Sequence, residues 1–142
     1  MSVERITPDR AHERMNQGWT YVDVRSEPEF EAGHPQGAYN VPFMHRGGPG
    51  LVANPDFVAV MTRHFAKDQA IIVGCRSGGR SLQAARALIA AGYSNIVDMR
   101  GGFVAEAGPG GAVTCPGWQS RDLPVATEAE TGRSYRELQA GA

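Results

Sequence analysis

Gly74-Cys75-Arg76-Ser77-Gly78-Gly79-Arg80-Ser81 is the stretch that decides how this chain reads. The apolar run Ala70-Ile71-Ile72-Val73 leads into it, and a helical run over residues 82–91 leads out and stops at Gly92. The pattern predicts a buried strand, a glycine-bearing turn and a helix N-terminus near Ser81. Such a turn points several backbone N–H groups inward at one spot, and the positive end of the following helix faces the same spot. A thiol placed there is held more readily as thiolate, its nucleophilic form. Arg76 and Arg80 add positive charge, and Gly78 and Gly79 let the backbone curl tightly. A cysteine after an apolar strand is in general a small buried hydrophobe. The surrounding Gly, Arg and Ser residues argue instead for Cys75 as a nucleophile in an anion-binding cradle. The loop lacks the G-x-x-x-x-G-K-[ST] pattern, which argues against nucleotide binding.

Composition bounds the rest. A chain of 142 residues fits one domain. A net charge of −1 gives no electrostatic case for nucleic acid or an anionic membrane. No apolar stretch approaches transmembrane length. Met1-Ser2-Val3-Glu4-Arg5 is not followed by the apolar core of a secretory signal. The two cysteines, Cys75 and Cys115, form no C-x-x-C pair and the four histidines are scattered, which argues against a metal site. No cofactor is implied. The expected setting is reducing and cytoplasmic, where a reactive thiol stays available.

Taken in order, Thr7-Pro8-Asp9 starts a helix that runs to about Gln17 and ends at Gly18. Tyr21-Val22-Asp23-Val24 reads as a strand. Ser26-Glu27-Pro28-Glu29 matches a capping box and opens a short helical turn ending at Gly33. Residues 33–37 read as loop and 38–41 as a second short strand. Arg46-Gly47-Gly48-Pro49-Gly50 is turn-rich and expected to be mobile or to flank a site. Asn54-Pro55 caps a helix through Phe65, and residues 95–99 form a further strand. Strands alternating with helices predict an α/β layer fold with a mainly parallel central sheet flanked by helices. In such sheets, sites lie at the carboxyl ends of strands, where Cys75 falls. Residues 108–117, rich in Gly and Pro, read as a long surface loop carrying Cys115. The polar tail over 126–142 carries a possible short helix in residues 135–139, with a partly frayed terminus as the plainer reading.

Four pieces resemble the single-domain rhodanese-like sulfurtransferases, in that family's order. Tyr21-Val22-Asp23-Val24-Arg25 followed by Glu29-Phe30 resembles its first strand and D-V-R motif. Residues 33–42 resemble its G-H-x-x-G-A-x-N-x-P motif, and residues 75–81 its active-site loop. Gly101-Gly102, Gly117-Trp118 and Leu123-Pro124-Val125 resemble its C-terminal signature. The resemblance implies one rhodanese-like domain over residues 1–125, with an inserted loop at about 107–117 that delays Trp118 relative to the family pattern.

It also implies a mechanism. Cys75 takes the outer sulfur of thiosulfate or another small anionic donor as a persulfide, then passes it to cyanide, a thiol or a protein sulfur acceptor. Charge sits on sulfur at both stages, so the site must supply convergent donors, here the N–H groups of residues 76–80. On this reading Arg76, Ser77, Gly78, Gly79 and Arg80 bind substrate, Asp23 and Arg25 form a buried pair bracing the loop ends, and His34 caps a turn. Two other classes compete: a cysteine-based phosphatase or arsenate reductase, and a non-catalytic rhodanese-like binding module. The spacing Cys75-x4-Arg80 is one residue shorter than the C-x5-R of related phosphatases. Cys115 goes beyond the family. It is either an incidental loop cysteine or a resolving thiol swung over the cradle from Gly101-Gly102.

Overall fold

The computed structural model describes residues 3–47 and 50–141. The expected helix at the N-terminus is α1, Pro8–Met15: the Thr7 hydroxyl accepts a hydrogen bond from the Arg10 N–H at 3.3 Å. It is preceded by a short strand, β1 (Glu4–Ile6), and followed by β2 (Thr20–Asp23). The Ser26 capping box opens α2 (Glu27–Ala32). Then come β3 (His34–Pro35), β4 (Tyr39–Asn40), β5 (Met44–Gly47), β6 (Gly50–Ala53) and α3 (Phe57–His64). The cysteine loop lies between β7 (Ile71–Gly74) and α4 (Gly79–Ala90), ahead of β8 (Ile96–Met99). The remaining elements are β9 (Ala105–Ala107), β10 (Val113–Pro116), β11 (Val125–Ala126) and α5 (Tyr135–Ala140).

Five strands form the central sheet in the order β1-β8-β7-β2-β4, with every pairing parallel. Its central strands carry apolar residues on both faces because helices cover both. Val22, Ile71 and Val73 face α3, α4 and α5, through Met61, Leu88 and Leu138. Tyr21, Ile72 and Val97 face α1 and α2, through Ala11 and Phe30. This alternation of side chains along each strand splits one sheet into two cores.

Four segments depart from expectation. Residues 44–47 and 50–53 pair antiparallel as β5 and β6 where turn was expected, and the expected turn residues Gly48 and Pro49 lie outside the described residues, as do Met1, Ser2 and Ala142. Leu51 and Val52 of β6 are exposed. His34 and Pro35, read as loop, pair antiparallel with β11. Residues 108–117 lie mostly at the surface, as expected, but β10 pairs with β9 as a hairpin there and Cys115 is buried. That hairpin returns the chain so that the Trp118 N–H donates to the Gly102 carbonyl at 2.9 Å. Trp118 is fully buried, and its indole N–H donates to the Pro124 carbonyl at 2.9 Å, which seats the delayed tryptophan in the core after all.

The tail is docked rather than frayed. Ser134 caps α5, Tyr135 and Leu138 are buried, and the Asn54 side-chain amide donates to the Tyr135 hydroxyl at 3.1 Å. Polar composition concealed this because only two apolar residues of the segment carry the contact. We therefore expect Leu138→Ala to lower the unfolding free energy by about 2–3 kcal/mol, as for other buried leucines. Urea unfolding checks this, and a change below about 0.5 kcal/mol would show a tail that does not hold the core.

Candidate active site

Backbone geometry at the end of β7 builds the site. Gly74 is required there, because any Cβ would overlap the Tyr21 hydroxyl on the neighbouring strand. Cys75 follows at the carboxyl end of the sheet and is 1% exposed. The carbonyl of Cys75 accepts from the Phe103 N–H at 2.7 Å, and that of Arg76 from the Val104 N–H at 2.9 Å. Gly102 permits this docking: a Cβ there would lie 2.6 Å from the Cys75 carbonyl oxygen.

At the sulfur itself, the Gly78 N–H donates to Cys75 Sγ at 3.1 Å, and the Ser81 hydroxyl lies 3.4 Å away. Ser81 is fully buried and also donates to the Gly78 carbonyl at 3.3 Å. Of the N–H groups expected from residues 76–80, Gly78 is the donor that the described contacts assign to the sulfur. Helix α4 starts at Gly79, two residues earlier than the sequence suggests, with Gly78 as its left-handed cap at φ +108°. Only Gly78 needs to be glycine for curvature. Gly79 has no positive φ, and a Cβ there would meet open space. Ser77 and Arg76 are exposed.

Asp23 and Arg25 form the buried pair expected of them. Arg25 Nη2 lies 2.7 Å from Asp23 Oδ2 and donates to the Gly33 carbonyl at 2.6 Å. Burial alone would lower the Arg25 guanidinium's pKa, but the Asp23 carboxylate holds it above its ordinary value. Asn40 ties the pair's backbone together by donating to the carbonyls of Asp23 and Arg25. Asp23 stands opposite Gly74 in register, and Val24 N–H donates to the Gly74 carbonyl, so the pair braces the strand end that carries Cys75. His34 is buried, stacked on Phe30, with Nδ1 2.7 Å from the Phe30 carbonyl oxygen, a local turn contact.

Arg80, expected with Arg76 to attract an anionic donor, is ion-paired within the protein. Its two guanidinium nitrogens donate to both Glu29 oxygens, at 2.8 and 2.9 Å, so its charge is balanced within the protein. Glu29 is also the third residue of α2 and accepts from the Ser26 N–H. Burial would raise the Glu29 carboxyl, but hydrogen bonds from Arg80 and Ser26 hold it down at about 2. A depressed carboxyl stabilises the fold above its ordinary pKa, and that contribution vanishes as pH falls through the folded value. Glu29→Gln should therefore cost about 2 kcal/mol at pH 7, allowing for partial solvent screening, with the difference shrinking between about pH 4.5 and pH 2. Unfolding curves of both proteins across that range decide it; a difference independent of pH would refute the coupling.

Leu51, Arg5 and Asp98 escaped the sequence reading of the site. Glu29, Arg46, Gly50, Leu51, Arg76 and Arg80 line a cleft of about 520 Å³ in front of the cysteine loop. Behind the loop, Arg5 Nε lies 2.7 Å from Asp98 Oδ2, and Asp98 is fully buried with its other oxygen unpartnered among the described residues. Arg5 also reaches the Gly78 carbonyl at 3.4 Å. No local pattern announces these contacts, since each joins distant parts of the chain.

Cys115 Sγ lies 3.6 Å from Arg121 Nη2 and 3.8 Å from the Pro116 carbonyl oxygen and packs against Gly101, and no contact among the described residues joins it to Cys75. Both cysteines are free thiols. The hairpin pairing of β9 with β10 holds Cys115 on the inner side of that ribbon.

The buried cysteine between a parallel strand and a glycine-capped helix lies within a stretch that matches a family profile. The Rhodanese-like domain profile matches residues 7–106. The chain belongs to the rhodanese-like domain family. Among relatives of this domain, Thiosulfate sulfurtransferase 16, chloroplastic, from Arabidopsis thaliana is 46% identical over 95 residues, 67% of this chain and 79% of that protein. Senescence-associated protein DIN1 from Raphanus sativus is 41% identical over 115 residues, 81% of this chain. This rhodanese-like chain spans 56% of the length of that second relative. The crystal structure of Rv0390 from M. tuberculosis aligns with a TM-score of 0.74 at 26% identity, covering 90% of this chain and 100% of that one. The fold is thus a rhodanese fold with a central parallel sheet flanked by helices.

Proposed function

We propose that this protein is a sulfurtransferase that moves sulfane sulfur through a persulfide on Cys75. The observation that carries the reading is the sulfur's own environment. A buried thiol sits at the start of α4, with the Gly78 N–H and the Ser81 hydroxyl as its polar neighbours. The Gly78 N–H donates to the sulfur and so solvates charge on it, and these neighbours do not include a carboxylic acid that would protonate an alkoxide leaving group. Relatives named as thiosulfate sulfurtransferases support the same chemistry.

In the first half-reaction the Cys75 thiolate attacks the outer sulfur of thiosulfate. A sulfur–sulfur bond forms to Cys75, the one inside the donor breaks, and sulfite leaves with the electron pair. In the second half-reaction a thiolate or cyanide attacks the outer sulfur of the persulfide, and Cys75 leaves as thiolate. Both halves transfer sulfur without net oxidation, so no cofactor is needed. Arg76, exposed at the mouth of the cleft, supplies the positive charge that draws an anionic donor. A small anionic sulfur donor and a thiol, cyanide or protein acceptor are the partners of this reading, in a reducing compartment such as the cytoplasm.

The test offers the purified protein thiosulfate with cyanide, and separately an aryl phosphate. Thiocyanate formation without phosphate release supports sulfur transfer. Phosphate release without thiocyanate would favour a phosphatase despite the short Cys75-x4-Arg80 loop, and neither product would favour a binding module.

A further inference from the structure

The cleft in front of the cysteine loop is larger than the proposed reaction's smallest substrates require. Its volume of about 520 Å³ falls in the range that holds whole small organic molecules, whereas cyanide would leave it nearly empty. Its charges are also unequal in kind. Arg80 is neutralised by Glu29. Arg46 and Arg76 are exposed and form no ion pair with a carboxylate among the described residues. Arg76 belongs to the cysteine loop, but Arg46 reaches the cleft from the β5–β6 hairpin, a separate element. Leu51 of the same hairpin is 43% exposed and gives this wall an apolar surface.

We infer that Arg46 is a specificity-determining residue that selects, as sulfur acceptors, thiols carrying additional carboxylate charge. This deepens the sulfur-transfer reading and rests on it. The donor and acceptor place their charges differently. In thiosulfate the anionic oxygens sit on the atom bonded to the transferred sulfur, so they stay close to the cysteine loop and Arg76. In a carboxylate-bearing thiol the charges lie several bonds from the attacking sulfur and reach the outer wall of the cleft. The carbon skeleton between them lies along Leu51. The transfer step is otherwise ordinary: the acceptor thiolate bonds to the outer sulfur, the persulfide bond breaks, and its electron pair returns to Cys75. Arg46 takes no part in bond making. It lowers the free energy of the encounter with a multiply charged acceptor, an effect of the size of an exposed charge pair and screened by salt.

The experiment isolates the acceptor half-reaction. Protein is loaded with sulfur from thiosulfate, freed of excess donor and sulfite, and mixed with mercaptosuccinate or with 2-mercaptoethanol in single turnovers. Arg46→Met should lower the rate constant for mercaptosuccinate about fivefold and that for 2-mercaptoethanol less than about twofold. Arg46→Glu should deepen the loss for mercaptosuccinate alone, and high salt should bring wild type down to the Met variant. Equal losses with both thiols, or no loss with mercaptosuccinate, would overturn the inference. So would a defect confined to loading from thiosulfate, which would make Arg46 a donor residue. Wild-type protein that takes up no sulfur at all would instead refute the sulfur-transfer reading on which the inference stands.

Discussion

Cys75→Ser should form no thiocyanate above a protein-free control while remaining folded. The serine hydroxyl is far less acidic than a thiol and forms no persulfide, so the first half-reaction has no nucleophile. The substitution changes little else. Cys75 is 1% exposed, and a serine hydroxyl in the same place still meets the Gly78 N–H and the Ser81 hydroxyl. Stability should therefore change by no more than about 1 kcal/mol. Mass spectrometry after thiosulfate treatment supplies the second readout: wild type should gain one sulfur, Cys75→Ser none, and Cys115→Ser should gain it as wild type does. Retained turnover in a folded Cys75→Ser protein would remove Cys75 from the chemistry. Failure of the Cys115→Ser protein to load would place the persulfide on the hairpin thiol instead.

Removing the Asp23 carboxylate should be the most destabilising of the polar changes considered. Arg25 is 4% exposed, and its guanidinium has Asp23 as its ion-pair partner. Asp23→Ala leaves that cation buried with the Gly33 carbonyl and the Phe103 ring face, 4.5 Å away, as remaining company. An uncompensated buried charge costs about 3–5 kcal/mol. Removing both charges together is a different matter, because no ion is then left desolvated. Asp23→Leu with Arg25→Met should recover much of the loss. Urea unfolding of the single and double variants measures both terms. A loss below about 1 kcal/mol for Asp23→Ala would mean that the pair is solvated in practice, and a double variant no more stable than the single one would mean that Asp23 matters through its backbone contacts to Arg25 and not through charge.

The local pattern made much of the fold legible. Ile71, Ile72 and Val73 can only be a buried strand, since three consecutive apolar β-branched residues need cover on both faces. Thr7 and Ser26 announce the helices they cap because their side chains satisfy N–H groups of the next turn, an interaction within a few residues. The helix of the tail was legible over residues 135–139, but its burial and the hairpins were not, for the converse reason. Polar and glycine-rich segments carry few apolar residues, and whether those few are buried depends on what lies across from them, as Tyr135 and Leu138 show. The burial of Cys115 has the same cause, since cross-strand pairing of β9 and β10 sets its position.

By itself, then, the sequence determined the strand, cysteine, glycine and helix of the site, and the parallel alternation around it. These rest on backbone preferences that act over one or two turns of chain. Only the tertiary structure decided the electrostatics. Glu29 and Arg80 are 51 residues apart and Arg5 and Asp98 are 93 apart, yet both pairs frame the same loop. Which arginine is neutralised and which faces the cleft is fixed by how α2, α4 and the β5–β6 hairpin pack at one end of the sheet. No spacing rule encodes that outcome, because an ion pair needs only that two side chains meet, and packing brings them together from anywhere along the chain.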